Sequence, residues 1–264
     1  MKRLLILLLL PVAVFAQMMA ASATDTHVVE LGPVGVDILV VEWDNGPVTI
    51  IGADTDKITI EAEGLRNGRA VDKDEWLKYC TFEKEGERVV AEFDKPSGGS
   101  LEVELLITLP RRIAADLSVG NGDIEVEKVA ALEANAGNGT VTVKGTPGDI
   151  KISCGNGNVD IELPKSYKGG VNAESGNGNV DIQIGPGFDG AVDAESGNGN
   201  VTVTLAEVPG GLSVDGNTGM GEAETNIDGV NRSTSMMGGS LSKSGDGPSI
   251  EVNSGNGDVA VLVD

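Results

Sequence analysis

The chain has 264 residues, a formal net charge of −22, 38 glycines and only 3% aromatic residues. Such an excess of carboxylates repels nucleic acid and anionic lipid and favours solubility, so a nucleic-acid partner is not expected. So much glycine with so few aromatic rings fits thin layers of small β-branched side chains joined by tight turns.

Residues 1–23 read as a secretory signal peptide: Lys2 and Arg3 precede an apolar run over 4–15, and small-residue cleavage patterns end at Ala16 and Ala23. The run falls short of the ~20 apolar residues of a membrane anchor. No later stretch is apolar enough to span a bilayer, and no cysteine follows the run to suggest a lipoprotein. The expectation is an exported chain of the periplasm or cell surface. His27, the one histidine, follows the cleavage region and is expected to be solvated. A Ser-His-Asp or Cys-His mechanism and a His-ligated zinc site are therefore not expected.

Residues 24–112 read as an N-terminal β cap together with the first strands. Strand-like stretches cover 36–41, 48–51, 57–62, 88–93 and 101–109, with a turn at Asp44-Asn45-Gly46-Pro47 and a short helix within 72–79.

Residues 113–264 carry six Gly-Asn-Gly triplets: Gly120-Asn121-Gly122, Gly137-Asn138-Gly139, Gly155-Asn156-Gly157, Gly176-Asn177-Gly178, Gly197-Asn198-Gly199 and Gly255-Asn256-Gly257. Around each, apolar residues alternate with polar ones, as in Val171, Ala173 and Ser175 before Gly176 and Val180, Ile182 and Ile184 after Gly178. Period 2 means strands with one inward face. The asparagines are spaced 17, 18, 21, 21 and 58 residues apart, and a period near 20 marks a stacked architecture. Asn and Gly tolerate positive φ, so each triplet reads as a structural corner. A hairpin meander is the rival. The near-identical copies favour a two-sheet β-solenoid, as does a second glycine corner at Gly148, Gly169-Gly170, Gly190, Gly210-Gly211 and Gly247. In such a coil the corner asparagines would stack as an amide ladder.

The order Ile107-Thr-Leu-Pro110, then 116–126, then serial Ser-Gly-Asn-Gly turns resembles the bacterial putative-adhesin domain family, a secreted domain of unknown function. The resemblance spans about 35–264. It implies an all-β, two-sheet, right-handed β-helix with an adhesion-like or envelope role, and it brings no catalytic residues.

Signs of chemistry are sparse. Cys154 aligns with Ala136, Ser175, Ser196 and Ser254, which makes it a small interior filler, with a disulfide to Cys80 as the alternative in an oxidising compartment. The glycine corners lack the Lys-Ser/Thr ending of a phosphate loop. They also lack the nine-residue calcium repeat. Outward Asp160, Glu162 and Asp181 read as a solvated acidic face, against a weak cation site or a paired-acid glycosidase. Thr140-Val-Thr142 and Thr202-Val-Thr204 are too few for a threonine array. The unit over 215–244 is irregular, from repeat decay or from a loop or binding face. At the C-terminus Val259, Val261 and Val263 should face inward, while Ala260 and Leu262 make the outer side apolar too. An open edge of that kind invites pairing, so Leu262 is expected at an interface with a second copy, the chain's own N-terminal segment or another envelope protein.

These features point to a non-catalytic, exported structural or adhesin-like β-solenoid of the bacterial envelope, without cofactor or metal. The alternative is a carbohydrate-binding or carbohydrate-cleaving β-helix. A lyase of that kind needs bases beside acids, and Lys128, Lys144, Lys151, Lys165, Lys168, Arg232 and Lys243 form no aligned cluster.

Overall fold

A computed structural model describes residues 26–97, 99–235 and 238–264. The signal segment 1–23, with its cleavage points at Ala16 and Ala23, lies outside the described residues.

The N-terminal elements are β1 (His27–Leu31), β2 (Ile38–Asn45), β3 (Val48–Ala53), β4 (Ile58–Arg66) and β5 (Arg69–Ala70). A one-turn helix α1 (Lys73–Trp76) follows, then β6 (Cys80–Glu85), β7 (Arg88–Phe93) and β8 (Leu101–Pro110). The repeats then supply strands in pairs: β9 (Ala114–Asn121) and β10 (Ile124–Glu127), β11 (Leu132–Asn138) and β12 (Val141–Lys144), β13 (Ile150–Asn156) and β14 (Val159–Leu163). Two further pairs are β15 (Gly170–Asn177) with β16 (Val180–Ile184) and β17 (Ala191–Asn198) with β18 (Val201–Leu205). The chain ends with β19 (Ser213–Met220), β20 (Ala223–Thr225), β21 (Asn231–Thr234), β22 (Gly239–Lys243), β23 (Ser249–Asn256) and β24 (Val259–Val263).

The two strands of a repeat lie in different sheets, and each pairs in parallel with its counterpart one repeat away; Ala134 faces Leu117 on one side and Ile152 on the other. This is a two-sheet solenoid, and the hairpin reading is set aside. Each corner carries the chain from one sheet to the other. Inward residues of both sheets, such as Ile152, Ala173 and Ala194 against Ile161, Ile182 and Val203, are buried in one continuous core. Burial of a Val or Ile side chain contributes about 1.5–3 kcal/mol. The alternating pattern, repeated at every rung, is therefore what holds the sheets face to face.

Stacking order departs from chain order at both ends. One sheet runs β21-β22-β19-β23-β17-β15-β13-β11-β9-β2-β7-β6, and the other runs β1-β4-β8-β3-β10-β12-β14-β16-β18-β24-β20. The rung β2/β3 thus sits between β9/β10 and the later-written β7/β8. Likewise the last-written rung, β23/β24, sits between β17/β18 and β19/β20.

This arrangement corrects the expectation for the C-terminal edge. β24 is an internal strand, paired with β18 through Val201–Leu205 and with β20 through Ala223–Thr225. Leu262 is half-buried, opposite Thr204. The strand that covers this edge is β20 of the chain's own 213–225 segment, not the N-terminal segment.

The irregular unit 215–244 supplies the outermost rung, β19/β20, and the β21–β22 hairpin that caps it. Gly216 takes an inward place, where an added Cβ would lie 2.9 Å from Val252 Cγ2 and 3.3 Å from Leu241 Cβ. The missing side chain makes room for Leu241 of the β21–β22 hairpin, which is itself buried in the core. Met220 takes the corner-asparagine place and is 59% exposed, since no rung lies beyond it.

The opposite end is closed by aromatic packing. Trp43 lies 5.3 Å from Phe93 and 6.3 Å from Phe82, and its Nε1 donates to Val103 O at 2.7 Å. Gly64 leaves the space that the Trp76 indole fills. His27 belongs to this cap and is half-buried rather than freely solvated: its ring packs 5.7 Å from Phe82 and 6.5 Å from Trp76 because β1 docks antiparallel on β4. Burial, followed by the Lys73 charge, lowers its pKa.

Candidate functional site: the corner column

Within each triplet the roles divide. In Gly137-Asn138-Gly139, Asn138 remains in the strand and pairs with Asn121 and Asn156. The turn falls on Gly139, at φ +136, where an added Cβ would also collide with the Gly122 carbonyl. The asparagine is therefore not there for positive φ, contrary to the expectation. Its function is the ladder. Asn138 Nδ2 donates to Asn121 Oδ1 at 2.9 Å, Asn156 to Asn138 at 3.0 Å, Asn177 to Asn156 at 2.9 Å, Asn198 to Asn177 at 2.9 Å and Asn256 to Asn198 at 2.7 Å. The first corner glycines lie flat on one another: a Cβ on Gly176 would sit 2.6 Å from Gly155 O.

A second ladder runs just inside the first. Cys154 Sγ donates to Gly139 O at 3.2 Å, Ser175 Oγ to Gly157 O at 2.9 Å, Ser196 to Gly178 at 2.8 Å, Ser254 to Gly199 at 2.8 Å and Thr218 to Gly257 at 2.6 Å. A third lies just past each corner. There Asn158, Asn179, Asn200 and Asp258 each accept, through Oδ1, the backbone N–H of the residue at the matching place one rung on.

Outside the corner glycines runs a shallow groove of about 690 Å³. Its floor is the glycine lane Gly155, Gly176, Gly197, Gly255 and Gly219, and its wall is Glu174, Glu195, Asn253 and Asn217. Asn253 Nδ2 donates to Glu251 Oε1 at 3.1 Å, holding part of the wall in place. Asp193, half-buried one row further out, has its pKa raised by burial and then by Glu251, Glu195 and Glu174. Near-identical repeats place Glu174 and Glu195 in register, so this part of the wall has a sequence signal in the repeated Ala-Glu-Ser-Gly-Asn-Gly. Asn253 and Asn217 lie in less faithful copies and had none.

The other outward carboxylates form no such wall. Asp160 stands beside Asp181, and Glu162 beside Gln183; burial, then Asp181, raises the Asp160 pKa. Among the described residues no cluster of His, Cys, Asp and Glu has the arrangement of a metal site, and no helix is long and apolar enough to cross a membrane. Both cysteines are free. Cys154 lies between Ala136 and Ser175 in the core, while Cys80 belongs to the cap and donates to Trp76 O at 3.9 Å.

The family model Toastrack DUF4097 matches residues 36–246. The chain belongs to this family. The Toastrack chain is similar to a solved putative cell adhesion protein from Clostridium sporogenes, with 17% identity over 90% of this chain and 99% of that one and a TM-score of 0.41. It is also similar to a putative adhesin from Bacteroides fragilis (11% identity, 92% and 98% covered, TM-score 0.37). A third likeness is to a putative lipid binding protein from Parabacteroides distasonis (12% identity, 90% and 97% covered, TM-score 0.40). No curated protein matches the Toastrack chain. All of its six triplets fall in one column, along the line where the two sheets meet.

Proposed function

We propose that this chain is a non-catalytic, exported structural or adhesin-like module of the bacterial cell envelope. One observation carries the reading. The repeated motifs that a search for chemistry would single out are engaged in joining rung to rung: Cys154, Ser175, Ser196, Ser254 and Thr218 each donate to a neighbouring rung's carbonyl. What remains for a partner is a rigid, flat, repeating polar surface. Export rests on Lys2, Arg3 and the apolar run 4–15.

A second reading, binding of a carbohydrate chain, is favoured by the glycine-floored groove walled by Glu174, Glu195, Asn253 and Asn217. Backbone and carboxylates there offer acceptors to sugar hydroxyls along several rungs.

The test is the mature chain on a glycan array, followed by a reducing-end assay on the same glycans. The scaffold reading expects no retention and no new reducing ends. Retention abolished by Glu195→Ala selects the carbohydrate binder, and release of reducing ends overturns the non-catalytic reading. Intact mass from the native host should begin at Gln17 or Thr24; a full-length cytoplasmic product would refute export.

A further inference from the structure

We infer that the inserted rungs are mechanical locks, so that the chain resists a pull on its ends as one cooperative unit and does not peel rung by rung. The inference goes beyond the adhesin-like reading, and its test involves no ligand.

In an ordinary solenoid each rung touches only its neighbours, and the terminal rung has just one. A pull on the chain end then removes that rung alone, and the next follows. Here the rung nearest the C-terminus has two neighbours in both sheets. β23 is held in parallel register by β17 from Ala191 to Asn198 and by β19 from Ser213 to Met220. β24 is held by β18 over its whole length and by β20 over Val259–Val261.

The end of the strand is fastened as well. Asn226 Nδ2 donates to Val263 O, Val263 N donates to Asn226 Oδ1, and Asp264 N donates to Leu205 O. Tension at residue 264 can draw β24 out only by breaking its hydrogen bonds to both β18 and β20. Its side chains Val259 and Val261 must also leave the core.

The locks also tie the caps to the body. Among the described residues β19 and β20 have no sheet partner in the body except β23 and β24. Extraction of the inserted rung therefore strands the whole segment 206–248. The same holds at the other end, where among the described residues β7 and β8 have no sheet partner in the body except β2 and β3. There Arg112 fastens the loop before β2, with Nη1 donating to Val36 O and Nη2 to Pro33 O, both at 2.7 Å. β1, the first strand from the N-terminal side among the described residues, is an edge strand held by β4 alone and lies outside this arrangement.

The experiment is force spectroscopy on the full mature chain with handles at its two ends, since forced unfolding reads the barrier to extraction. The expected trace shows at most a small early extension from β1. The first large rupture then releases at least 206–264, roughly 200 Å of contour length at full extension. A staircase of steps of roughly 55–70 Å, the length of single rungs, would overturn the inference. Hydrogen exchange on the untethered chain supplies a second reading. Amides of 250–261 should exchange as slowly as those of 150–161, because opening them requires the cap to leave as well. Fast exchange confined to 249–263 would equally sink the proposal.

Discussion

Asn226 stands in for a strand at the end of β24: its side-chain amide donates to Val263 O at 2.8 Å and accepts from Val263 N at 2.8 Å. β20 stops at Thr225, and the next side chain takes over the pairing that its backbone no longer supplies. Asn226→Ala removes both bonds, and at about 0.5–1.5 kcal/mol for each the urea midpoint should fall. Asn226→Asp keeps the acceptor, loses the donor and sets a carboxylate against a carbonyl, so it should fare no better. Equilibrium unfolding of the three proteins checks this; a wild-type midpoint in Asn226→Ala would contradict it.

The asparagine ladder predicts a defined non-additivity. Asn156→Ala breaks the bonds to Asn138 and Asn177, and Asn177→Ala breaks those to Asn156 and Asn198. The bond between the two residues is common to both changes. The double variant should therefore lose less than the two single losses together, by about 0.5–1 kcal/mol, the range expected for contacting residues and a neutral bond. Strict additivity in a double-mutant cycle would show that the ladder is ornamental.

Cys154→Ser should be nearly neutral, at about 1 kcal/mol or less, because Ser175 and Ser196 already fill the same place on the next rungs. Cys80 should be slow to react with thiol reagents at pH 8, since burial raises its pKa to about 12. Labelling kinetics of the native and urea-unfolded chain measure both thiols. Fast native modification at Cys80 would place it outside the cap packing.

The pH profile should be asymmetric. Burial and like charges raise the pKa values of Glu104, Asp160 and Asp193 above their usual 4.5 and 3.8. The folded chain then holds those protons more tightly, so stability increases as pH falls from neutrality toward that range. His27, lowered by burial, opposes this below its usual 6.5, where the unfolded chain takes the proton first. The two effects fall in different windows: the melting temperature should dip as pH falls just below 6.5, and the carboxylates should offset that dip only as pH nears their own lower range.

On the alkaline side Cys80 and Tyr167 are both raised by burial. The stability this represents is complete below their usual values of 9.0 and 10.0 and is lost as pH climbs through the folded ones. A thermal-melt series from pH 4 to pH 11 tests both limbs, and a flat profile would count against them.

Local repetition made much of this molecule legible. Period-2 alternation and a corner every 17 to 21 residues are enough to define strands, inward faces and parallel stacking, because near-identical units bury their apolar faces best by lying in register. The same alignment placed Cys154 in the core and the asparagines in one column. Ser175 and Glu174 could be read likewise from the repeated Ala-Glu-Ser-Gly-Asn-Gly.

Order along the stack is another matter. Every rung presents much the same apolar face and the same backbone donors to either neighbour, so nothing local says whether β23/β24 follows β19/β20 or slips in before it. That choice depends on which rung tolerates an open end, and only packing between distant segments reveals it. Gly216 yields its place to Leu241, Met220 closes the asparagine column, and the β21–β22 hairpin covers what is left. The packing of His27 has the same origin: its surroundings, Trp76 and Phe82, are assembled by strand pairing between segments far apart in sequence. The sequence by itself determined the repeating unit, its inward residues and its corners, because these follow from periodicity and backbone sterics. The tertiary structure alone decided which rung is last, since rungs with equivalent edges compete for each position and long-range packing selects among them.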